Sequence, residues 1–114
     1  MKLMVFIPAR GDVISIDFDP QSGHEQAGWR PALVLSTSVY NDSTGLAVMC
    51  LITKRAKGYN FEVSMPPGYD VYGVMLADQV KCLDWTTRKT FYICSLPISV
   101  LKDVVAKINA PIRV

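Results

Sequence analysis

Six short segments with the signature of β-strands, each ended by turn residues, fill the chain from residue 12 to residue 94. Helical spacing begins only after Pro97. Residues 12–18 alternate, with Ile14, Ile16 and Phe18 on one face and Val13, Ser15 and Asp17 on the other, the pattern of a half-exposed strand. Residues 32–36 and 46–52 are continuous apolar runs that read as buried strands, joined by a turn at Asn41-Asp42-Ser43-Thr44-Gly45. Residues 60–65 alternate again, Pro66-Pro67-Gly68 marks a loop, and segments 73–80 and 90–94 complete the strand-rich part. Beyond Pro97, residues Val100, Leu101, Val104, Val105 and Ile108 recur at helical spacing, opposite Lys102, Asp103 and Lys107. Pro97 suits a first helical turn and Pro111 stops continuation. Many short strands with one terminal amphipathic helix predict an α+β fold, a small antiparallel β-barrel with a C-terminal helix.

The chain has 114 residues, which predicts one domain over 1–114 with its own modest core. Half of the residues are hydrophobic and the formal charge is only +2, which excludes a disordered chain or a strongly basic nucleic-acid coat protein. No apolar run approaches the roughly 18 residues needed to span a bilayer. Leu3 to Ile7 is too short an apolar stretch for a signal-peptide core, so a cytoplasmic location is expected. Cys50, Cys82 and Cys94 are odd in number, widely spaced and set in apolar stretches. They read as small core hydrophobes rather than as a disulfide framework. With His24 as the single histidine, no metal site is expected.

The run Gly23-His24-Glu25-Gln26-Ala27-Gly28-Trp29-Arg30-Pro31 leads a glycine-bounded polar loop into the strand at 32–36. Its glycines allow close backbone approach to a ligand, and Pro31 biases Arg30 toward extended backbone at the strand mouth. A cation held there, with a carboxylate, an amide and an imidazole just upstream, suits a phosphodiester. The run resembles the signature of the MazF/PemK-like mRNA interferases, toxin ribonucleases of type II toxin–antitoxin systems. The resemblance continues through Arg10-Gly11-Asp12-Val13 and Asp17-Phe18-Asp19-Pro20, then Ile52-Thr53, Lys57-Gly58-Tyr59 and Phe61-Glu62-Val63. Ala77-Asp78-Gln79-Val80-Lys81 and Leu83-Asp84-Trp85 extend it, so that it spans about residues 8–109.

This resemblance implies an SH3-like barrel that pairs as a homodimer, with Arg30 and Thr53 as catalytic residues. It also implies a sequence-specific endoribonuclease that cuts single-stranded mRNA, uses no metal or organic cofactor, and is neutralised by a MazE-like antitoxin. Such cleavage proceeds by attack of a 2′-hydroxyl on the adjacent phosphate, which needs a base, an acid and stabilisation of the phosphorane charge. The planar fork of Arg30 suits that charge, whereas its use in proton transfer is awkward above a pKa of about 12. Thr53 would donate its hydroxyl to a non-bridging oxygen. The bland alternatives are a surface arginine paired with Glu25 and a plain strand terminus.

Glu25 is the candidate general base, or an acceptor for a base edge, or a solvated loop acid. His24 is a candidate substrate contact, and members of the resembled family differ there. Gln26 and Gln79 can read base edges. Lys57 belongs with Lys54 and Arg55 to a basic cluster able to track phosphates. Phe18 and Trp29, with Tyr59 and Phe61, offer stacking faces, although Phe61 reads better as core. Trp85 and Arg88 lie in a second polar segment without evident chemistry. An alternative function is that of toxins with the same fold that poison DNA gyrase by binding. The Arg30 and Thr53 pair and the 23–28 loop fit the ribonucleases instead, and the tail Pro111-Ile112-Arg113-Val114 lacks the anchoring residues of the gyrase poisons. An RNA-binding homologue without cleavage is a third possibility.

Overall fold

In the computed structural model of the chain, residues 6–17 and 29–113 are described. The strands are β1 (Asp12–Asp17), β2 (Trp29–Val34), β3 (Leu46–Thr53), β4 (Glu62–Ser64), β5 (Val74–Asp84) and β6 (Thr90–Ser95). The helices are α1 (Ser38–Thr44) and α2 (Ile98–Asn109). All strand pairs are antiparallel, in the order β4-β5-β3-β2-β1-β6. The α+β class and the C-terminal helix are as expected. The sheet, however, is not closed into a ring by hydrogen bonds among the described residues. Its edges are β4 and β6, and β4 is too short to do more than pair Glu62–Ser64 with Val74 to Leu76 of β5.

Two apolar clusters lie on opposite faces of the central strands. One joins Val13, Leu33, Cys50, Ile52 and Met75 to Leu101 and Val104 of α2. The other joins Ile14, Ile16, Ala32, Val34, Ala47 and Met49 to Trp85, with Phe6 and Ile7 packed against it. β1 is therefore buried on both faces over Val13 and Ile14, not half-exposed as its alternation suggests, because the indole of Trp85 and the segment before β1 cover the second face. Phe18 lies outside the described residues. In α2, Leu101 and Val104 are buried as the spacing predicts, whereas Val105 is 41% exposed at the margin of the apolar stripe.

The segment around 41–45 differs most from its sequence reading. It is not a simple turn between β2 and β3 but the second half of α1, capped by the Thr37 hydroxyl at Tyr40 N–H and ended by Gly45 at φ +74°. Asn41 is fully buried in this helix. Its Nδ2 donates to the carbonyls of Pro8 (2.7 Å) and Ser36 (3.1 Å), its Oδ1 accepts from the Ser36 hydroxyl (2.5 Å), and its carbonyl accepts from the Trp85 indole N–H (3.0 Å). A polar side chain with every group bonded is stable inside a core. Asn, Asp, Ser and Thr favour turns in isolation because they compete for backbone hydrogen bonds. Here Ser43 and Thr44 still bond the local Tyr40 carbonyl, whereas Asn41 spends its side chain on Pro8 and Ser36 instead.

The cysteines also divide. Cys50 is buried and Cys94 half-buried, consistent with core packing, and all three are free thiols. Cys82 is exposed on β5, beyond the reach of β4, so it is not a core hydrophobe; its Sγ lies 4.0 Å from the Tyr40 hydroxyl.

Candidate active site

Antiparallel pairing of β2 with β3, through Ala32 with Leu51 and Leu33 with Cys50, brings the start of one strand beside the end of the other. Arg30 at the start of β2 and Thr53 at the end of β3 thereby line one solvent-open cleft of about 450 Å³. Trp29, Lys54, Asp70 and Tyr72 line it too. Arg30 is exposed and Thr53 half-buried, above the fully buried floor that Ile52 extends into the core. The Thr53 hydroxyl accepts from the Arg55 N–H at 3.2 Å, which orients its oxygen and leaves its own hydrogen to donate.

The backbone of Thr53 is set by a contact that the sequence did not reveal. Gly73 adopts φ +119°, and a Cβ there would come within 2.1 Å of the Thr53 carbonyl oxygen and 2.9 Å of Lys54 Cα. Only glycine fits, both for its dihedral angle and for this approach. Val74 then pairs with Thr53 across β3 and β5.

A second depression of about 210 Å³ adjoins the first and shares Thr53 and Arg55 with it. Lys57, Tyr59 and Gln79 line this one. The Glu62 carboxylate accepts the backbone N–H groups of Lys57 (2.9 Å) and Gly58 (3.0 Å), holding the loop while the lysine side chain stays exposed. From α2, Lys107 Nζ donates to the carbonyls of Asn60 (2.6 Å) and Glu62 (3.1 Å). Tyr59 is half exposed and its ring lies 5.1 Å from that of Phe61, which packs on the core as expected.

Of the residues singled out in the sequence, Arg30, Thr53 and Trp29 thus share the first cleft, and Lys57 and Gln79 the adjoining depression. Trp29 is 37% exposed and stacks on Phe91, with ring centroids 5.5 Å apart. Glu25, His24, Gln26 and Phe18 lie outside the described residues. Asp70, Tyr72 and Gly73 are additions that sequence reasoning missed. Their loop carries the needed signal, an acid and two tyrosines between the turn glycines Gly68 and Gly73, but it reads first as a Pro-Gly connection. Trp85, far from the cleft, is core.

Burial pushes the Cys50 thiol up to about 12. Burial, together with the negative charges of Asp70 and Asp12, raises that of Cys94. Both are neutral at physiological pH and unsuited to nucleophilic attack. Among the described residues, no group of three or more His, Cys, Asp or Glu side chains is placed to hold a metal ion. What the cleft offers is a cation and a hydroxyl donor on solvent-open apolar walls, a combination matched to a phosphodiester with attached bases.

Comparison with known proteins agrees with this chemistry. Residues 9–111 match the family described as PemK-like, MazF-like toxin of type II toxin–antitoxin system. The chain is 44% identical over 104 residues to the endoribonuclease toxin MazF of Escherichia coli strain K12, covering 91% of this chain and 93% of that protein. It is 35% identical over 110 residues to the endoribonuclease toxin ChpB of the same strain, covering 91% of this chain and 93% of the relative. The crystal structure of MazE–MazF (Form-II) from Deinococcus radiodurans superposes with a TM-score of 0.87 at 45% identity, over 94% of this chain and 96% of that one.

Proposed function

The chain belongs to the PemK-like, MazF-like toxin family of type II toxin–antitoxin systems, and from that premise we propose how its cleft cuts single-stranded mRNA at specific short sequences. It is a toxin endoribonuclease, and an antitoxin neutralises it. The 2′-oxygen attacks the neighbouring phosphorus, the bond to the 5′-oxygen breaks, and the products are a 2′,3′-cyclic phosphate and a 5′-hydroxyl. Arg30 binds the non-bridging oxygens and follows their charge into the phosphorane. Thr53 donates its hydroxyl to one of them. Glu25 takes the 2′-hydroxyl proton, and the departing 5′-oxygen takes a proton from solvent water, which the open cleft admits.

The single observation that supports this reading most is that Arg30 and Thr53, 23 residues apart in sequence, line the same open cleft. Lys57 and Gln79 in the adjoining depression supply phosphate and base-edge contacts, Trp29 a stacking face, and His24, Gln26 and Phe18 further contacts from the segment before β2. The relatives are named endoribonucleases, which favours cleavage over the gyrase-poisoning alternative. The protein works as a homodimer in the cytoplasm, with RNA across the subunit interface and the antitoxin competing for the same groove. Among the described residues, no helix is long and apolar enough to cross a membrane.

The test uses wild type and Arg30→Ala on a long mixed-sequence RNA in EDTA, with cut sites and end groups mapped. Discrete cuts by wild type alone, leaving 5′-hydroxyl ends, are expected. Intact RNA in both lanes would overturn the assignment.

A further inference from the structure

Tyr72 is a large aromatic side chain in the loop between β4 and β5, yet it is 63% exposed. Burying such a ring is favourable, so an exposed one beside a reactive cleft calls for a reason. Three observations supply it. The ammonium of Lys54, the residue after Thr53, lies 4.9 Å from the ring centroid, a cation–π contact that steadies the ring in the open. The next residue, Gly73, sits against the Thr53 carbonyl so closely that no Cβ fits, so the loop bearing the ring is pinned to the strand end bearing the hydroxyl. Tyr72 and Trp29 line the same cleft as Arg30 and Thr53, and Trp29 is itself braced by stacking on Phe91.

From these we infer that Tyr72, steadied by Lys54, is a stacking subsite for the nucleobase next to the cleaved phosphodiester. The ring takes the face of an unpaired base, and the Lys54 ammonium lies within reach of that nucleotide's phosphate. Stacking alone tolerates any base, so this subsite holds the strand in register while the Gln79 amide of the neighbouring depression discriminates. The inference rests on the ribonuclease reading above.

Its test uses a single-stranded oligoribonucleotide carrying the mapped cleavage sequence, with one abasic nucleotide walked through the positions flanking the cut. Wild type, Tyr72→Phe and Tyr72→Ala are compared, with Tyr72→Leu as a second variant that keeps an apolar side chain. The Ala and Leu variants are expected to lose kcat/KM by on the order of 10- to 100-fold, mostly through KM, while Phe retains wild-type cleavage. At one flanking position, an abasic nucleotide should cost wild type a similar factor and cost Tyr72→Ala nothing further. Wild-type rates in the Ala and Leu variants, or abasic losses undiminished at every position, would overturn the subsite and leave the ribonuclease reading intact. Failure of folded wild type to cut any RNA would overturn both.

Discussion

The two ends of the β2–β3 pair are built from the same strands and put to opposite uses. At one end, where β2 leads into α1 and β3 begins, Asn41 is fully buried with its groups bonded to Pro8, Ser36 and Trp85. At the other end, Arg30, Lys54 and Arg55 stand in solvent around the half-buried Thr53. The closed end spends its polar groups on the protein itself, and the open end leaves its charges facing solvent. Catalysis needs charge that is oriented but unspent, and stability needs polar groups that are spent completely. The central strands hold both because their apolar middle, buried on both faces, separates the two ends.

If that division is real, changes at each end should act on different quantities. The largest effect is expected from Arg30→Ala, which should lower kcat/KM for RNA cleavage by on the order of 100- to 1000-fold, the cost of losing a charge-stabilising donor. Its melting temperature should stay close to that of wild type. Asn41→Ala should do the reverse, costing about 3 kcal/mol in urea denaturation through unpaired buried carbonyls and a cavity. Its cleavage per folded molecule should match wild type; lost cleavage at undiminished stability would break the division.

Gly73→Ala sharpens it, because this residue belongs to the open end yet acts through backbone packing. A Cβ at φ +119° against the Thr53 carbonyl should cost about 2 kcal/mol of stability and also displace the hydroxyl. Both denaturation and cleavage should therefore suffer, and loss of only one would show that the contact relaxes. The smallest effect concerns Cys50, in the middle of β3. Its folded thiol ionises only at about 12, against an ordinary value of 9.0. Between those values the unfolded chain releases a proton that the folded chain keeps, so stability falls as pH rises, by ~1.4 kcal/mol per pH unit. Below the ordinary value the group contributes no slope. Cys50→Ala should show a shallower alkaline decline than wild type when the two denaturation curves are subtracted.

The open end was far more legible in the sequence than the closed one. Arg30 before Pro31, and Thr53 after an apolar run, are local signals, and pairing of two strands suffices to unite them. Asn41 gave no such signal. Its neighbours Asp42, Ser43, Thr44 and Gly45 favour a turn on local grounds, and only the tertiary partners Pro8 and Trp85 make a buried helix preferable. Burial of both faces of β1 was hidden for the same reason, since its cover comes from Trp85, read as part of a polar segment. Tyr72 and Gly73 were masked by loop composition, although Tyr72 lines the cleft and Gly73 packs against the Thr53 carbonyl.

The two hydrogen bonds from Lys107 have a temporal side. The loop at Lys57 and Gly58 is tied through Asn60 and Glu62 to a lysine made 47 residues after Asn60. During synthesis on the ribosome, the nascent chain therefore carries the basic loop well before it carries the helix that anchors it. For a toxin endoribonuclease, translation order thus completes this part of the site only after the basic loop itself has been made.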